Sequence, residues 1–475
     1  MGQRRSQGLE ARSGPAAAAP AVAPNHDRRG LCGSFPCLPP LPGATRDVRQ
    51  RCAVKNSAGD EPQRRWFSWA QRAAGLTAAA VALTALYWTA RLARADWLFL
   101  EGNPQSIQEA IRLAPGDPDY YSGWAQTEPD RAVDVLEKAV ALNPINSSLR
   151  IELGLAAEEK GDFRKAEASL REAMRLNTSF APRWALSDFY FHRHDAEKFW
   201  PVVKAALTIS YGDVSAQFRN CWSLSQDAPT ILERAIPDRQ KVLREYLKFL
   251  IGEKRMEAAA PVAERVLARA GAEDTAALLN YSDYLLEAGQ SRRALALWND
   301  LNGRKLLPYA PLAAEMGRSL TNGDFARPNV NAGFDWRFTP PEGIYVERVG
   351  KPPAVFVSFT GQQPEDCEIL SQYVPVLPNR EYVLSVRYRA TGIPAESGPL
   401  CRVLRGNGGD LLHEGGLLPG GSEGDADRAF RFATPADTTM VRLVFGYKRM
   451  RGTVRIEGSV ILREFKLALE PEDGR

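Results

Sequence analysis

Residues 147–178 read SSLRIELGLAAEEKGDFRKAEASLREAMRLNT, and their pattern decides the fold of much of the chain. Leu153, Gly154 and Ala157 recur at helical spacing, Gly161 and Asp162 interrupt them, and Ala166, Leu170 and Ala173 resume. Two short helices joined by a tight turn are expected. Small residues at Gly154, Ala166 and Ala173 let antiparallel helices approach closely, and Gly161 can take the left-handed conformation that ends the first. Working outward, the motif Ala-x-x-Leu-Asn-Pro or a relative recurs at 110–115, 139–144, 173–177 and 206–210, with alanine spacings of 29, 34 and 33.

A period near 34 with helix-turn-helix patterning resembles the tetratricopeptide repeat family, and such an array is expected over 96–315. A later unit carries Tyr281, Tyr284, Gly289, Ala294 and Trp298; residues 211–245 match poorly and read as helices without a repeat assignment. Pro261 is expected in the first turn of a helix or at a kink. The resemblance implies a concave groove for an extended peptide or partner helix. By the same resemblance its positions fall at Glu158, Glu159, Phe189, His192 and Arg193. The alternative is a solvated helix face with Phe189 in the core.

Upstream, the net charge of +4 divides unevenly: residues 1–72 carry +7 and the remainder −3. That split excludes a basic, nucleic-acid-seeking body. Residues 1–72, rich in Pro and Ala without periodicity, read as a disordered basic tail. Cys32, Cys37 and Cys52 lack the second pair that a zinc site needs. An uncharged run at 73–90, AAGLTAAAVALTALYWTA, lies between Arg72 and Arg91 with Trp66, Phe67, Trp69, Tyr87 and Trp88 near its ends. It predicts one transmembrane helix over 73–92. The flanking charges put the N-terminus inside and the bulk outside, as in a single-pass inner-membrane protein with a periplasmic body. A buried helix and a cleaved signal peptide are the alternatives.

From 316 to 468 the pattern changes to short runs of period two. Nine strands are expected, at 344–349, 354–359, 368–374, 382–389, 401–404, 429–432, 440–447, 453–457 and 460–467. With a short tail at 469–475, the fold class is multidomain α + β: one membrane helix, an all-α solenoid and an all-β sandwich. The runs LTNGDF (320–325), GFDW (333–336), YVLSVRYRAT (382–391) and GSVILREF (458–465) resemble the jelly-roll carbohydrate-binding modules of glycan-active proteins. Calcium in that family follows an acidic residue just after the first phenylalanine; Ala326 stands there, with Asp324 nearby, so no cofactor or metal is expected. Sugar binding needs aromatic rings that stack on pyranose faces and polar groups for the hydroxyls, which nominates Trp336, Tyr345, Arg387 and Arg442. The alternative puts Trp336 in the core and the arginines on a solvated face, and a protein could also bind there. Cys367 and Cys401 are either a disulfide or two buried thiols.

Catalytic motifs are sparse. Residues 420–424 spell G-x-S-x-G, but loop sequence flanks them where a strand and helix are required. His192 and His194 are two apart and point to different helix faces. His413 is expected in a glycine-rich loop. Asp335, Glu342, Glu347 and Glu368 are the carboxylates that could serve glycoside hydrolysis. The sequence therefore reads as a non-enzymatic, membrane-anchored envelope scaffold that docks proteins through its repeats and offers a glycan-binding module, accessory to surface polysaccharide assembly or export. A pure protein-protein adaptor is the alternative, and a glycan-active enzyme the third reading.

Overall fold

A computed structural model of the protein describes residues 61–394, 398–406, 409–416 and 424–470. The expected tail up to residue 60 with its three cysteines, residues 420–423 of the G-x-S-x-G run, and 471–475 lie outside the described residues. The chain divides into two units, 1–82 and 83–475.

Helix α1 (Glu61–Leu100) begins within the stretch expected to be tail. Its segment Arg72–Leu100 is long and apolar enough to cross a membrane. Residues 72–90 are all exposed, so the buried-helix alternative is not met. In the second unit, Ala95 and Leu98 near the end of α1 pack with Ala110, Ala114 and Tyr120.

The helical array then runs as successive pairs. After α2 (Pro104–Leu113) come α3 (Pro118–Thr127) with α4 (Ala132–Leu142), α5 (Ser147–Glu159) with α6 (Phe163–Leu176), and α7 (Phe180–His192) with α8 (Ala196–Thr208). Two short helices, α9 (Ser215–Leu224) and α10 (Ala228–Arg234), fill the weakly patterned stretch. Two further pairs close the array: α11 (Gln240–Gly252) with α12 (Met256–Ala268), and α13 (Thr275–Glu287) with α14 (Ser291–Gly303). Asn146, Asp162 and Asp195 cap the helices that follow them, each side-chain oxygen accepting a first-turn N–H at 2.9 to 3.2 Å. These bonds satisfy otherwise orphaned amides and punctuate the repeat. Gly161 takes φ +79 between α5 and α6, as its place in the motif requires. Pro261 stands in the interior of α12, past its first turn.

The β module comprises ten strands among the described residues: β1 (Arg337–Phe338), β2 (Ile344–Val349), β3 (Ala354–Thr360), β4 (Asp366–Pro375), β5 (Glu381–Thr391), β6 (Gly398–Arg405), β7 (Leu411–Gly416), β8 (Ala426–Ala433), β9 (Met440–Lys448) and β10 (Glu457–Leu469). They form two antiparallel five-stranded sheets, ordered β1-β4-β9-β6-β7 and β2-β3-β10-β5-β8. Eight of the nine expected runs are strands; 453–456 is not, and β1 and β7 were not expected. His413 lies on β7 rather than in a loop. Alternation governs the packing: Tyr382, Leu384, Val386 and Tyr388 point inward while Arg387 points out.

The two cysteines of this module are not bonded, which corrects the disulfide reading. Cys367 on β4 pairs with Tyr447 of β9, and Cys401 on β6 pairs with Phe445 on the opposite edge of that strand. An intervening strand holds their backbones about 10 Å apart, beyond the Cα separation a disulfide can bridge.

The outer face of the sheet containing β9 meets the end of the helical array. Met440 joins the helical core, and Tyr373 packs against it half-buried. Trp298 of α14 lies nearly parallel to Tyr309 at 5.7 Å and tilts against Phe334 at 5.8 Å. Asp283 of α13 accepts hydrogen bonds from Gly333 N at 2.7 Å and from Arg337. The β module thereby covers the apolar end that a terminal repeat would otherwise expose to water.

Candidate binding surfaces

Two surfaces follow from this architecture. The first lies on the leading helices of the pairs, where α5 touches α7 and α11 touches α13. A row of polar contacts crosses these helices. Ser122 Oγ donates to Glu152 at 2.5 Å, Glu158 Oε1 meets His192 Nδ1 at 2.9 Å, and Asn220 donates to Asp188 at 3.3 Å. His192 Nε2 is also 3.9 Å from Asp188, so one imidazole stands between two carboxylates. Leu155, 41% exposed, shares a face with Glu152 and Glu159, and Trp184 lies one turn before Asp188. The surface combines acidic groups with partly exposed apolar side chains.

Of the sequence-nominated groove residues, Glu158 and His192 come together, and Glu159 is exposed without an ion pair among the described residues. Phe189 is buried beside Tyr190 and is corrected to core, because it continues the packed stripe that includes Leu186. Arg193, the residue that ends α7, stacks over Phe163 at 3.8 Å, at the turn end of the pair rather than on this surface. Leu155 and Asp188 were missed, yet each directly follows a small buried residue, Gly154 or Ser187, 33 positions apart.

The second surface is the outer face of the β2-β3-β10-β5-β8 sheet. Registers align Glu347, Phe356, Ile461 and Arg389 in one row, and Tyr345, Ser358, Ser459 and Thr391 in the next. Tyr345 is 68% exposed, and Phe356 and Ile461 are half-buried. Tyr345 and Phe356 are therefore diagonal cross-strand neighbours, which together make an aromatic patch on this face. Hydroxyls of Ser358 and Ser459 border it, as do the carboxylate of Glu347 and the guanidinium of Arg389. Arg389 and Arg463 both hold Asp425, at 3.1 and 2.8 Å. Farther along, a charged cleft of about 320 Å³ is lined by Ser385, Arg387, Asp427, Arg428, Glu464 and Lys466.

The four residues nominated for sugar binding do not converge. Trp336 is fully buried between Phe325 and Phe465, its Nε1 donating to Asn322 O at 3.1 Å, so it is corrected to core. Tyr345 and Arg387 share the outer face, but two strands separate theirs; Arg387 is tied to Asp427 at 3.0 Å. Arg442 belongs to the other sheet, paired with Glu368 at 2.5 Å on the face turned toward the helices. Phe356 was missed because a run as apolar as AVFVSF (354–359) conceals which of its residues face outward.

The carboxylates considered for hydrolysis are dispersed likewise. Asp335 is buried at the junction, accepting from Tyr309 Oη at 2.8 Å and Val330 N at 2.7 Å, while Glu347 and Glu368 lie on different sheets.

No family model matches the chain, and no curated protein does. Similar solved structures include one described as "CBM4 structure and function", 12% identical, covering 32% of this chain and 100% of that one, with a TM-score of 0.26. The MamA protein is 14% identical, covering 38% of this chain and 90% of its own, with a TM-score of 0.25. YrrB, described as a TPR protein with an unusual peptide-binding site, is 14% identical, covering 43% and 94%, with a TM-score of 0.22. The fold class stands on the helix pairs and the two sheets described above.

Proposed function

We propose that this protein is a membrane-anchored scaffold of the cell envelope that joins a protein partner to a glycan and catalyses no reaction itself. The observation that carries the glycan half is the exposed Tyr345 beside half-buried Phe356 on a sheet whose opposite face is core. Pyranose rings present apolar C–H faces that stack on such a patch, while flanking serines, Glu347 and Arg389 are suited to hydroxyls. The protein half rests on the leading-helix surface. Its excess of carboxylates (Glu152, Glu158, Glu159 and Asp188) beside Leu155 and Trp184 favours a partner segment that alternates basic and apolar residues.

The anchor is α1, with the basic side of the apolar run in the cytoplasm and the array and β module outside. In that topology the protein serves as an accessory to assembly or export of surface polysaccharide. A glycan array probed with the detergent-solubilised full chain tests the reading. Retention of a glycan by the wild type and its loss in Tyr345→Ala support it; a folded chain that retains none leaves the pure adaptor. A reporter fused after Arg475 that is active only in the cytoplasm overturns the orientation.

A further inference from the structure

Near the end of the apolar run, α1 and the α2–α3 loop form an open cleft of about 480 Å³, lined by Trp88, Arg91, Leu92, Leu113, Asp117 and Pro118 among others. We infer that this cleft binds the headgroup of a phosphoethanolamine lipid. The inference rests on the membrane anchoring proposed above.

Position comes first. The 18 uncharged residues at 73–90 rise about 27 Å as a helix, close to the thickness of a hydrocarbon core. Trp88 and Arg91 consequently fall at its boundary. Tyr87, Trp88 and Trp97 are exposed there, as aromatic residues at a lipid–water interface are. Leu92 and Leu113 give the cleft apolar wall for the glycerol and first methylenes of a lipid.

Chemistry selects the headgroup. Arg91 is held in place twice: its guanidinium lies 4.9 Å from the Trp88 ring centroid, and Nε donates to Leu113 O at 2.7 Å. Its Nη groups make no protein hydrogen bond among the described residues, leaving a donor pair suited to phosphate oxygens. Asp117 supplies the opposite charge. Its Oδ1 accepts from Asp119 N at 3.0 Å, and Oδ2 makes no protein hydrogen bond among the described residues. A primary ammonium can donate to that oxygen, whereas a trimethylated one cannot. A headgroup with phosphate alone would leave the Asp117 carboxylate facing like charge. Guanidinium and carboxylate in one cleft thus favour phosphoethanolamine over both phosphoglycerol and phosphocholine.

The test uses the full chain, purified from membranes in mild detergent and examined by native mass spectrometry with added phosphatidylethanolamine, phosphatidylglycerol and phosphatidylcholine at equal concentration. Preferential retention of one phosphatidylethanolamine is expected. Arg91→Gln should lower its occupancy roughly tenfold through loss of charge-assisted bonds. Asp117→Asn, which keeps the helix cap, should reduce phosphatidylethanolamine to the level of phosphatidylcholine. Arg91→Lys should restore part of the binding, and matched thermal melts check that each variant is folded. Equal retention of the three lipids, or folded variants that bind like the wild type, overturns the inference while leaving the anchor intact. Recovery of the chain in the soluble fraction without detergent overturns the anchor, and this inference with it.

Discussion

Gly333 and Trp298 are in such close contact that a β-carbon added at Gly333 would stand 2.6 Å from Cε3 and Cζ3 of the indole. Gly333 also takes φ +60, a conformation L side chains adopt at a cost. Trp298 is fully buried and shares its core with Phe334 and Met440, so the β module and the last repeat are bound through one packed layer. Gly333→Ala is expected to lose about 2–4 kcal/mol, from overpacking together with left-handed strain. Calorimetry should show array and β module unfolding in one transition in the wild type, and a lower, split transition in the variant. An unchanged melting profile would contradict a shared core.

Within the array, Gly154 makes the comparable approach: a β-carbon there would meet Leu170 Cγ at 2.6 Å. Leu170 is fully buried and has little room to retreat. Gly154→Ala gains helix propensity of about 1 kcal/mol yet pushes α5 from α6. The net effect is expected to be a loss of about 1–2 kcal/mol, read as a lower denaturation midpoint at unchanged m-value.

These two glycines also mark how far the sequence can be read. Gly154 was legible because its repeat packs against its neighbours in sequence, so local spacing already contains the contact. Gly333 was not, since its partner Trp298 lies in another element and no periodicity links them. The same division runs through the candidate surfaces. The helix pairs and the strands followed from periods of 3.6 and two. Glu158 and His192 were named from the position they hold in successive repeats. Trp336 was named for its chemistry alone, and pairing with Phe325 and Phe465 drew it inside. Phe356 escaped notice because AVFVSF is apolar at nearly every position, so its sequence does not show the alternation that its burial does.

Tyr345 and Trp336 should behave in opposite ways. Tyr345 is largely exposed, so Tyr345→Ala is expected to change stability by no more than about 0.5 kcal/mol. Glycan retention should nevertheless fall at least roughly tenfold through the lost stacking surface. Trp336→Ala should cost about 3–5 kcal/mol, since it empties a fully buried site. Paired thermal melts and array binding distinguish the two; a Tyr345→Ala chain that binds like the wild type removes the patch.

Thiol chemistry provides a test of the strand order. With β9 between Cys367 and Cys401, peptide mapping without reductant should recover no bond between them. Burial pushes the Cys401 thiol up to about 12 and raises Cys221 further. Alkylation of the folded chain at pH 8 should therefore spare both and modify them only after denaturation. Rapid labelling of Cys401 in the native state would mean that β6 is not where this topology has it.

Acid titration sets two buried carboxylates against each other. Burial alone would raise Asp274, but the Gly271 N–H, Gln240 and Arg244 bond it at 3.0, 2.9 and 2.9 Å and hold its carboxyl below the usual range. A depressed folded-state value contributes stability that is present above the unfolded pKa and is lost as pH falls through the folded one. Asp335 has the reverse sign. Burial raises its carboxyl, and the bonds from Val330 N and Tyr309 Oη do not offset that. Its native state therefore binds the proton more tightly than the unfolded chain, and stability is gained as pH falls through the raised value toward the unfolded one. Asp274→Asn should cost about 1–3 kcal/mol at neutral pH by removing the buried carboxylate from Arg244, which keeps Glu273 at 3.3 Å and Glu245 at 3.9 Å, and should flatten the acid limb of the stability curve. Asp335→Asn should remove the gain in the mildly acidic range while leaving the acid limb in place. Denaturant midpoints measured from pH 7 down to pH 3 separate the two, and a curve that neither substitution alters would show that these carboxylates titrate alike in the folded and unfolded chain.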